Sequence, residues 1–598
     1  MMKKVGIMLL LMASAVQACW AATKPEPPAG FGPNEIDRMI RSEWKRAKIT
    51  PAAPVDDARF LRRAYLDIIG TIPTEEKVRT FLADKSPNKR TRLVEELLNS
   101  PRYAEYWTNY WDNVLMGRQF RAQVVDRAAF RQWLHQQFAQ NVPWNKFVYE
   151  LISATGQNSK GGSLGRAVGV MTRMDMEAEE GGGDSNAKVN GAVNWTLKYL
   201  QNPADLSGTA SKVFLGVQIQ CAQCHDHKTE KWTQEDFRRF TACFVQARPV
   251  PIDTGQVRGI RRVELREVNR PLFHRLSRRI EGMAEYLEAR PAALDGTDLS
   301  YSPSRRKALA EWMTAPENPY FAQAIVNRMW AHFLGRGFVN PIDDFRPSNP
   351  PVMPELLKKL ANDFVAHDYD LKHLIRTICA TQVYQLSSGP AKGEDEDNKL
   401  WARYRLKPLE PEQMLDALVT ATNLHPVLEK VAGGNLEQVK FLMQQQFSFL
   451  FQVDEESDQK EFEGTIPQAL MLLNGNLLNR AVTPIPGTAL AQVLARPGSD
   501  AEKIEALYLR ALSRKPTAAE TRQWVAFVNA PRDAIITDPP AGQEPIRARG
   551  RQVRRAGGID PFGRIGRRLV SGEQTPKQQA YEDLFWALLN SSEFMFNR

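Results

Sequence analysis

The chain has 598 residues, 43% hydrophobic and 25% charged, with 37 Gly and 38 Pro, a composition that excludes a collagen-like or wholly disordered polymer. Its length exceeds what one hydrophobic core supports and predicts two or three domains. The net charge of +10 is uneven: residues 541–575 hold eight Arg against Glu544, Asp560 and Glu573, which is half of the total, so the rest of the chain is only mildly basic.

The N-terminus has the three parts of a secretory signal: a positive start with Lys3 and Lys4, an apolar run over 5–16 and small residues around Ala18 to Ala22. The apolar run is short for a membrane span. The expected signal therefore covers residues 1–22 and places the protein outside the cytoplasm, in the periplasm or cell envelope. Cleavage after Ala18 would leave Cys19 as a lipid attachment point, whereas later cleavage would release an unanchored chain. Four further cysteines, Cys221, Cys224, Cys243 and Cys379, are too few for a disulfide scaffold.

After a Pro-rich leader the pattern is helical. Ile36, Met39, Ile40 and Trp44 recur at helical spacing, and Phe60, Leu61, Ala64, Tyr65 and Ile68 repeat it before Gly70. Thr74 is placed to cap the next helix, and Ser100-Pro101 reads as a cap followed by proline in the first turn. The aromatic series Tyr103, Tyr106, Trp107, Tyr110 and Trp111 is expected in the core rather than as a stacking platform. Residues 155–184 read as a long Gly-rich loop carrying Met171, Met174 and Met176. There is no Gly-x-Gly-x-x-Gly after a strand and no phosphate loop, so nothing supports nucleotide binding.

A helical pattern over residues 206–219 leads into Cys221-Ala-Gln-Cys224-His225-Asp-His227. Cys-x-x-Cys-His is the spacing of covalent c-type haem attachment: two thiols one turn apart reach the two vinyl groups of one haem edge, and His225 supplies the proximal iron ligand. Met174 or Met176 in the preceding loop, or His227, are the candidates for a further ligand. Two alternatives remain open. Cys221, Cys224, His225 and His227 together carry a zinc-binding set of atoms, though crowded for one, and the two thiols could close a small disulfide with no cofactor at all.

Several of these runs resemble a known family. Residues 60–74 (FLRRAYLDIIGTIPT), 97–103 (LLNSPRY), 214–218 (FLGVQ) and 221–227 (CAQCHDH) resemble the planctomycete cytochrome-like domain, domain of unknown function 1549. Residues 306–312 (RKALAEW), 318–321 (NPYF), 326–337 (VNRMWAHFLGRG), 349–351 (NPP) and 370–376 (DLKHLIR) resemble its companion, domain of unknown function 1553. The cytochrome name of that family rests largely on the Cys-x-x-Cys-His pattern itself, and this chain lacks the separate haem domain or carbohydrate-binding insert of many relatives.

The expected architecture is mostly α: a multi-helical two-domain protein with long irregular loops and little strand. It comprises the signal at 1–22, a motif-bearing domain at 33–248, a connector at 249–302 and a helical companion at 303–598. In the companion, Asn327, Arg328, His332, Arg336, Asp343, Asp344 and Arg346 fall within about twenty residues of one another. They form a second polar site in one reading, and in the other Arg and Asp tie a loop to its helix. His373 and Arg376 are read as surface or pairing groups. The Pro-, Gly- and Arg-rich stretch 531–575 is expected to be a solvated basic insert, with an anionic polymer as the partner it would suit. A nucleic-acid partner is not expected of an exported chain. The functional expectation is a c-type cytochrome-like protein of the envelope that transfers electrons to a partner through haem c; the alternative is an envelope scaffold whose thiols form a disulfide or metal site.

Overall fold

The computed structural model describes residues 30–118, 122–162, 188–200, 202–253, 259–268, 283–393, 398–432, 482–531 and 575–598. The signal segment with Cys19, the three loop methionines Met171, Met174 and Met176, and nearly all of the basic insert lie outside them. The described chain is mostly α-helical, with strand confined to short pairings. No described helix is long and apolar enough to cross a membrane.

Local chemistry sets the helix ends where the sequence places them. The Ser100 hydroxyl accepts from the Arg102 amide to open the Pro101–Met116 helix, and Thr74 caps Glu75–Ala83 through the Lys77 amide. Gly70 and Gly335 close Asp57–Ile69 and Phe321–Leu334 in the left-handed conformation that glycine tolerates best. The helix expected over 206–219 ends earlier: Pro203–Ala210 passes into one π turn, Ser211–Leu215, and stops at Gly216. The Ser211 hydroxyl then donates to the Val217 carbonyl at 2.7 Å, a side-chain bond that replaces the helical one.

The chain divides into two compact units that interleave along the sequence. One comprises residues 1–55 and 94–405, the other 56–93 and 406–598. The segments expected from the motifs, 33–248 and 303–598, therefore each contribute to both.

In the first unit the core is tryptophan-rich. Trp107, Trp111, Trp144, Trp195, Trp330 and Trp401 are fully buried, and Trp111 meets Trp144 with ring centroids 4.6 Å apart. Tyr103, Tyr106, Trp107 and Trp111 of the aromatic series in Pro101–Met116 are thus core, as the spacing predicts, while Tyr110 is half-buried at its margin. Strands β1 (Gly156–Gln157), β2 (Ala247–Pro251) and β3 (Val263–Glu267) form an antiparallel sheet in the order β1-β3-β2. Arg306, fully buried, ties distant segments together: its guanidinium donates to Glu267 Oε1 at 2.8 Å, the Ile152 carbonyl at 3.2 Å, the Ala154 carbonyl at 2.8 Å and Thr196 Oγ1 at 3.3 Å.

The second unit packs Leu66 and Ile72 with Leu415, Leu418, Ile504, Leu507, Leu584 and Phe585. Residues 60–69, though rich in charge, are all buried, and the charged side chains hold the C-terminal segment. Arg62 donates to the Ala511 and Phe594 carbonyls at 2.8 Å each, and burial pushes its pKa down to about 10. Asp67 accepts from Lys407 at 2.6 Å and from Asn597 at 2.8 Å. Those partners sit on strands β4 (Lys407–Pro408) and β5 (Phe596–Asn597), which pair with each other.

Candidate functional site

The Cys-x-x-Cys-His motif lies on a loop whose backbone is anchored and whose reactive atoms face outward. Ile219 and Ala222 are fully buried and Trp232 nearly so. Between them Cys221, Cys224 and His225 are exposed. Cys221 belongs to a 3-10 turn, Ile219–Ala222, and Cys224 follows it, so the thiols sit on a tight turn separate from the preceding helix. Both are free, without a disulfide. Cys243 and Cys379 are buried; burial pushes the Cys243 thiol up to about 12, which leaves it an inert core group.

Several polar side chains of the loop have defined partners. Asp226 accepts the Gln234 amide at 2.8 Å. Gln220 reaches Asp205 at 3.0 Å, and the Gln234 side chain donates to the Gln223 carbonyl at 3.4 Å. His227 Nδ1 accepts from the Thr229 and Glu230 amides at 3.3 and 3.1 Å, while its own amide donates to the Trp232 carbonyl at 2.8 Å. That ring is a turn anchor, with its Nδ1 lone pair occupied. His225 is arranged the opposite way: its Nδ1 lies 2.8 Å from the Asp226 carbonyl oxygen. A carbonyl only accepts, so the bond requires Nδ1 to carry the proton and leaves the Nε2 lone pair free.

The residues of the second polar cluster are engaged in contacts with their own turn and with neighbouring rings. Asn327 is fully buried and spans the 337–342 turn, donating to the Val339 and Ile342 carbonyls at 3.1 and 2.9 Å and accepting the Val339 amide at 3.0 Å. Arg328 lies over the Trp111 ring, 5.9 Å from its centroid, and His332 sits among Tyr106, Trp107 and Tyr110. Asp344 pairs with Arg346 at 3.1 Å and accepts from Asn349; burial raises its pKa, with Arg346 opposing. Asp343 faces Lys212 at 3.6 Å and Gln218 at 3.3 Å.

Those last contacts give the cluster a role the sequence did not reveal: residues 341–349 brace the motif loop. The Phe345 amide donates to the Gly216 carbonyl at 2.9 Å and Ser348 to Glu230 at 2.7 Å. Gly216 has φ +68°, and a Cβ there would come within 2.5 Å of the Phe345 ring. The residue is glycine for two reasons at once, the left-handed backbone and the close approach. Phe345, Ser348 and Lys212 carried no signal as site residues; the proximity of Asp343 to the motif needed tertiary contacts across more than a hundred residues.

The four atoms of the zinc alternative do not converge. Among the described residues the single group of three His, Cys, Asp or Glu ligand atoms within 4.8 Å of one another is Asp363, His367 and His373. His373 is a pairing group, donating to Asp363 at 2.8 Å, and Arg376 pairs with Glu95, as the sequence reading expects.

The chain matches PSCyt2, protein of unknown function (DUF1549), over residues 35–248, and PSD1, protein of unknown function (DUF1553), over residues 305–446. It carries both matches, one after the other, in a single polypeptide. No curated protein and no solved structure matches it. The Phe345–Gly216, Ser348–Glu230, Asp343–Lys212 and Asp343–Gln218 contacts all run from the second family's segment to the first's, which gives the pairing a physical basis at the motif.

Proposed function

We propose that this PSCyt2–PSD1 chain is an exported c-type cytochrome-like protein that holds haem c at Cys221, Cys224 and His225 and transfers electrons in the cell envelope. The observation that carries the reading is the state of the His225 ring: Nδ1 tied to a backbone carbonyl at 2.8 Å and Nε2 free beside two exposed, unpaired thiols. A backbone acceptor on the far nitrogen is the usual means of orienting an imidazole that ligates a metal and of raising its basicity. Haem there would supply one-electron chemistry; the chain would supply two thioether anchors, one axial nitrogen and a rigid loop braced by residues 341–349.

The exposure of the motif favours exchange with a redox partner docking directly on it, and solvent access is one of the factors that set a haem potential. The signal at 1–22 supports export, where c-type maturation takes place, and Cys19 offers lipid attachment. The competing reading, an envelope scaffold without haem, is favoured by one feature: the loop is held by its own contacts, the Gln234 amide on Asp226, the His227 amide on the Trp232 carbonyl and the buried Ile219 and Ala222.

The test is the absorption spectrum of protein matured in an exporting host that attaches c-type haem. The reading predicts a haem band in the parent, retention of porphyrin with loss of the low-spin signature in His225→Ala, and loss of porphyrin when Cys221 and Cys224 are both replaced by Ser. Parent protein that is colourless, or a spectrum that neither change alters, favours the scaffold.

A further inference from the structure

A second cluster of ligating groups lies away from the Cys-x-x-Cys-His loop. Asp363 lies in the last turn of the Pro354–Ala366 helix, His367 caps its end, and His373 is in the first turn of Leu371–Ala380. The link between the two helices is short because Asp368 and Tyr369 both take left-handed backbone, φ 58° and 56°, at a cost of order 1–3 kcal/mol each. Tyr369, buried against Phe321 and Phe364 with ring centroids 5.9 and 5.5 Å away, pins that link. The result places two imidazoles on one carboxylate: His373 Nε2 at 2.8 Å and His367 Nδ1 at 3.3 Å from the Asp363 oxygens.

The Asp363 side chain is 8% exposed, whereas those of His367 and His373 are 40% and 24% exposed, so the three ligand atoms converge at a point open to solvent on one side. The rings stack with centroids 3.7 Å apart and planes 15° apart. Asp370 caps the second helix by accepting the Lys372 amide at 2.8 Å, and the Lys372 ammonium is turned onto the Tyr103 ring, 4.9 Å from its centroid.

We infer that Asp363, His367 and His373 form a binding site for a divalent transition metal. Two imidazoles with one carboxylate suit Zn²⁺, Ni²⁺ or Cu²⁺ and disfavour Mg²⁺ and Ca²⁺, which take oxygen ligands. Three protein ligands leave the solvent side for water, the arrangement of an open rather than a closed structural site. Lone pairs lie in the ring planes, so two near-parallel rings reach one ion only by splaying. Binding therefore breaks the stack and draws His367 Nδ1 off the Asp363 carbonyl it now meets at 2.8 Å, or turns its Nε2 inward.

The test titrates Zn²⁺, and Co²⁺ as its coloured substitute, into the full mature chain carrying Cys221→Ser and Cys224→Ser, so that thiols cannot supply the signal. The expected result is one equivalent bound, a Co²⁺ spectrum of nitrogen and oxygen ligands without sulfur charge-transfer bands, and shifts of the His367 and His373 ring resonances on adding Zn²⁺. His373→Gln, which retains a hydrogen bond to Asp363, and His367→Ala should each weaken binding at least about ten-fold. Absence of saturable binding in the parent, or binding that persists undiminished in the two variants combined, overturns the assignment. If a variant fails to fold, the ring resonances of the parent decide: Zn²⁺ that binds without moving them also overturns it.

Discussion

At the residue scale, the motif loop depends on Gly216 and the core of the first unit on Arg306. Gly216 is the hinge between the π turn and the motif, and its Cα faces the Phe345 ring with no room for a methyl group. Gly216→Ala combines a left-handed penalty with a clash against the brace, and should lower the urea-unfolding free energy by about 2 kcal/mol and reduce haem incorporation in the exporting host. An unchanged midpoint would show that residues 341–349 yield freely and brace nothing. The other residue is Arg306, whose full burial leaves Glu267 and three further acceptors dependent on one guanidinium. Arg306→Ala removes one partner of a buried pair and should cost about 3–5 kcal/mol, read as a lowered midpoint of thermal or urea unfolding. Neither residue announces itself in the sequence: Gly216 sits in an apolar run, and Arg306 is one of several Arg and Lys at a helix start.

At the element scale, caps and turn residues were legible because their chemistry is local. Thr517 and Glu520, three apart, form a reciprocal capping box at Ala518–Val528, and Ser100-Pro101 and Gly335 act where their types predict. The acidic member of that box also belongs to a longer-range fork, which the spacing could not show. Arg514 donates in parallel to both oxygens of Glu520 at 2.9 Å and to both oxygens of Glu593 at 2.8 Å. These bonds from Arg514, opposed by some burial, lower the Glu520 pKa from 4.5 to about 2. A carboxylate depressed in the folded state stabilises it fully above the unfolded value and loses that contribution as the pH falls through the folded one. The second unit should therefore lose stability between about pH 4.5 and pH 2, and Glu520→Gln should lower stability at neutral pH while flattening that part of the acid-unfolding curve. A variant curve parallel to the parent's would contradict the assignment. The polar loop at 341–349 shows the opposite limit of sequence reading: its composition marked it as important, but whether Asp343 faces a ligand or Lys212 is decided by a contact partner about 130 residues away.

At the scale of the whole molecule, the fold class was legible from helical periodicity and the sparse β pattern, whereas the organisation was not. Motif order suggests two consecutive domains, but residues 56–93 pack with 406–598, and residues 94–405 make one unit across the family boundary. Such interleaving depends on pairings like Arg62 with the Ala511 carbonyl and Arg306 with Ile152, which leave no periodic trace. It follows that a fragment limited to residues 33–248 lacks both the brace at 341–349 and the Arg306 anchor. Expressed alone, it should show the low thermal cooperativity and dye-accessible apolar surface of an incompletely packed chain, and a cooperative transition matching that of the full chain would contradict the interleaved account.

The central claim is that the exposed turn at residues 221–225 carries a porphyrin through two thioethers. The most direct measurement is the intact mass of the protein after export alongside a c-type maturation system, with the peptide spanning Cys221 and Cys224 isolated and weighed. The account predicts a mass larger than the polypeptide by one haem, located on that peptide and absent when both cysteines are Ser. A correctly exported protein whose mass equals that of the bare polypeptide contradicts it.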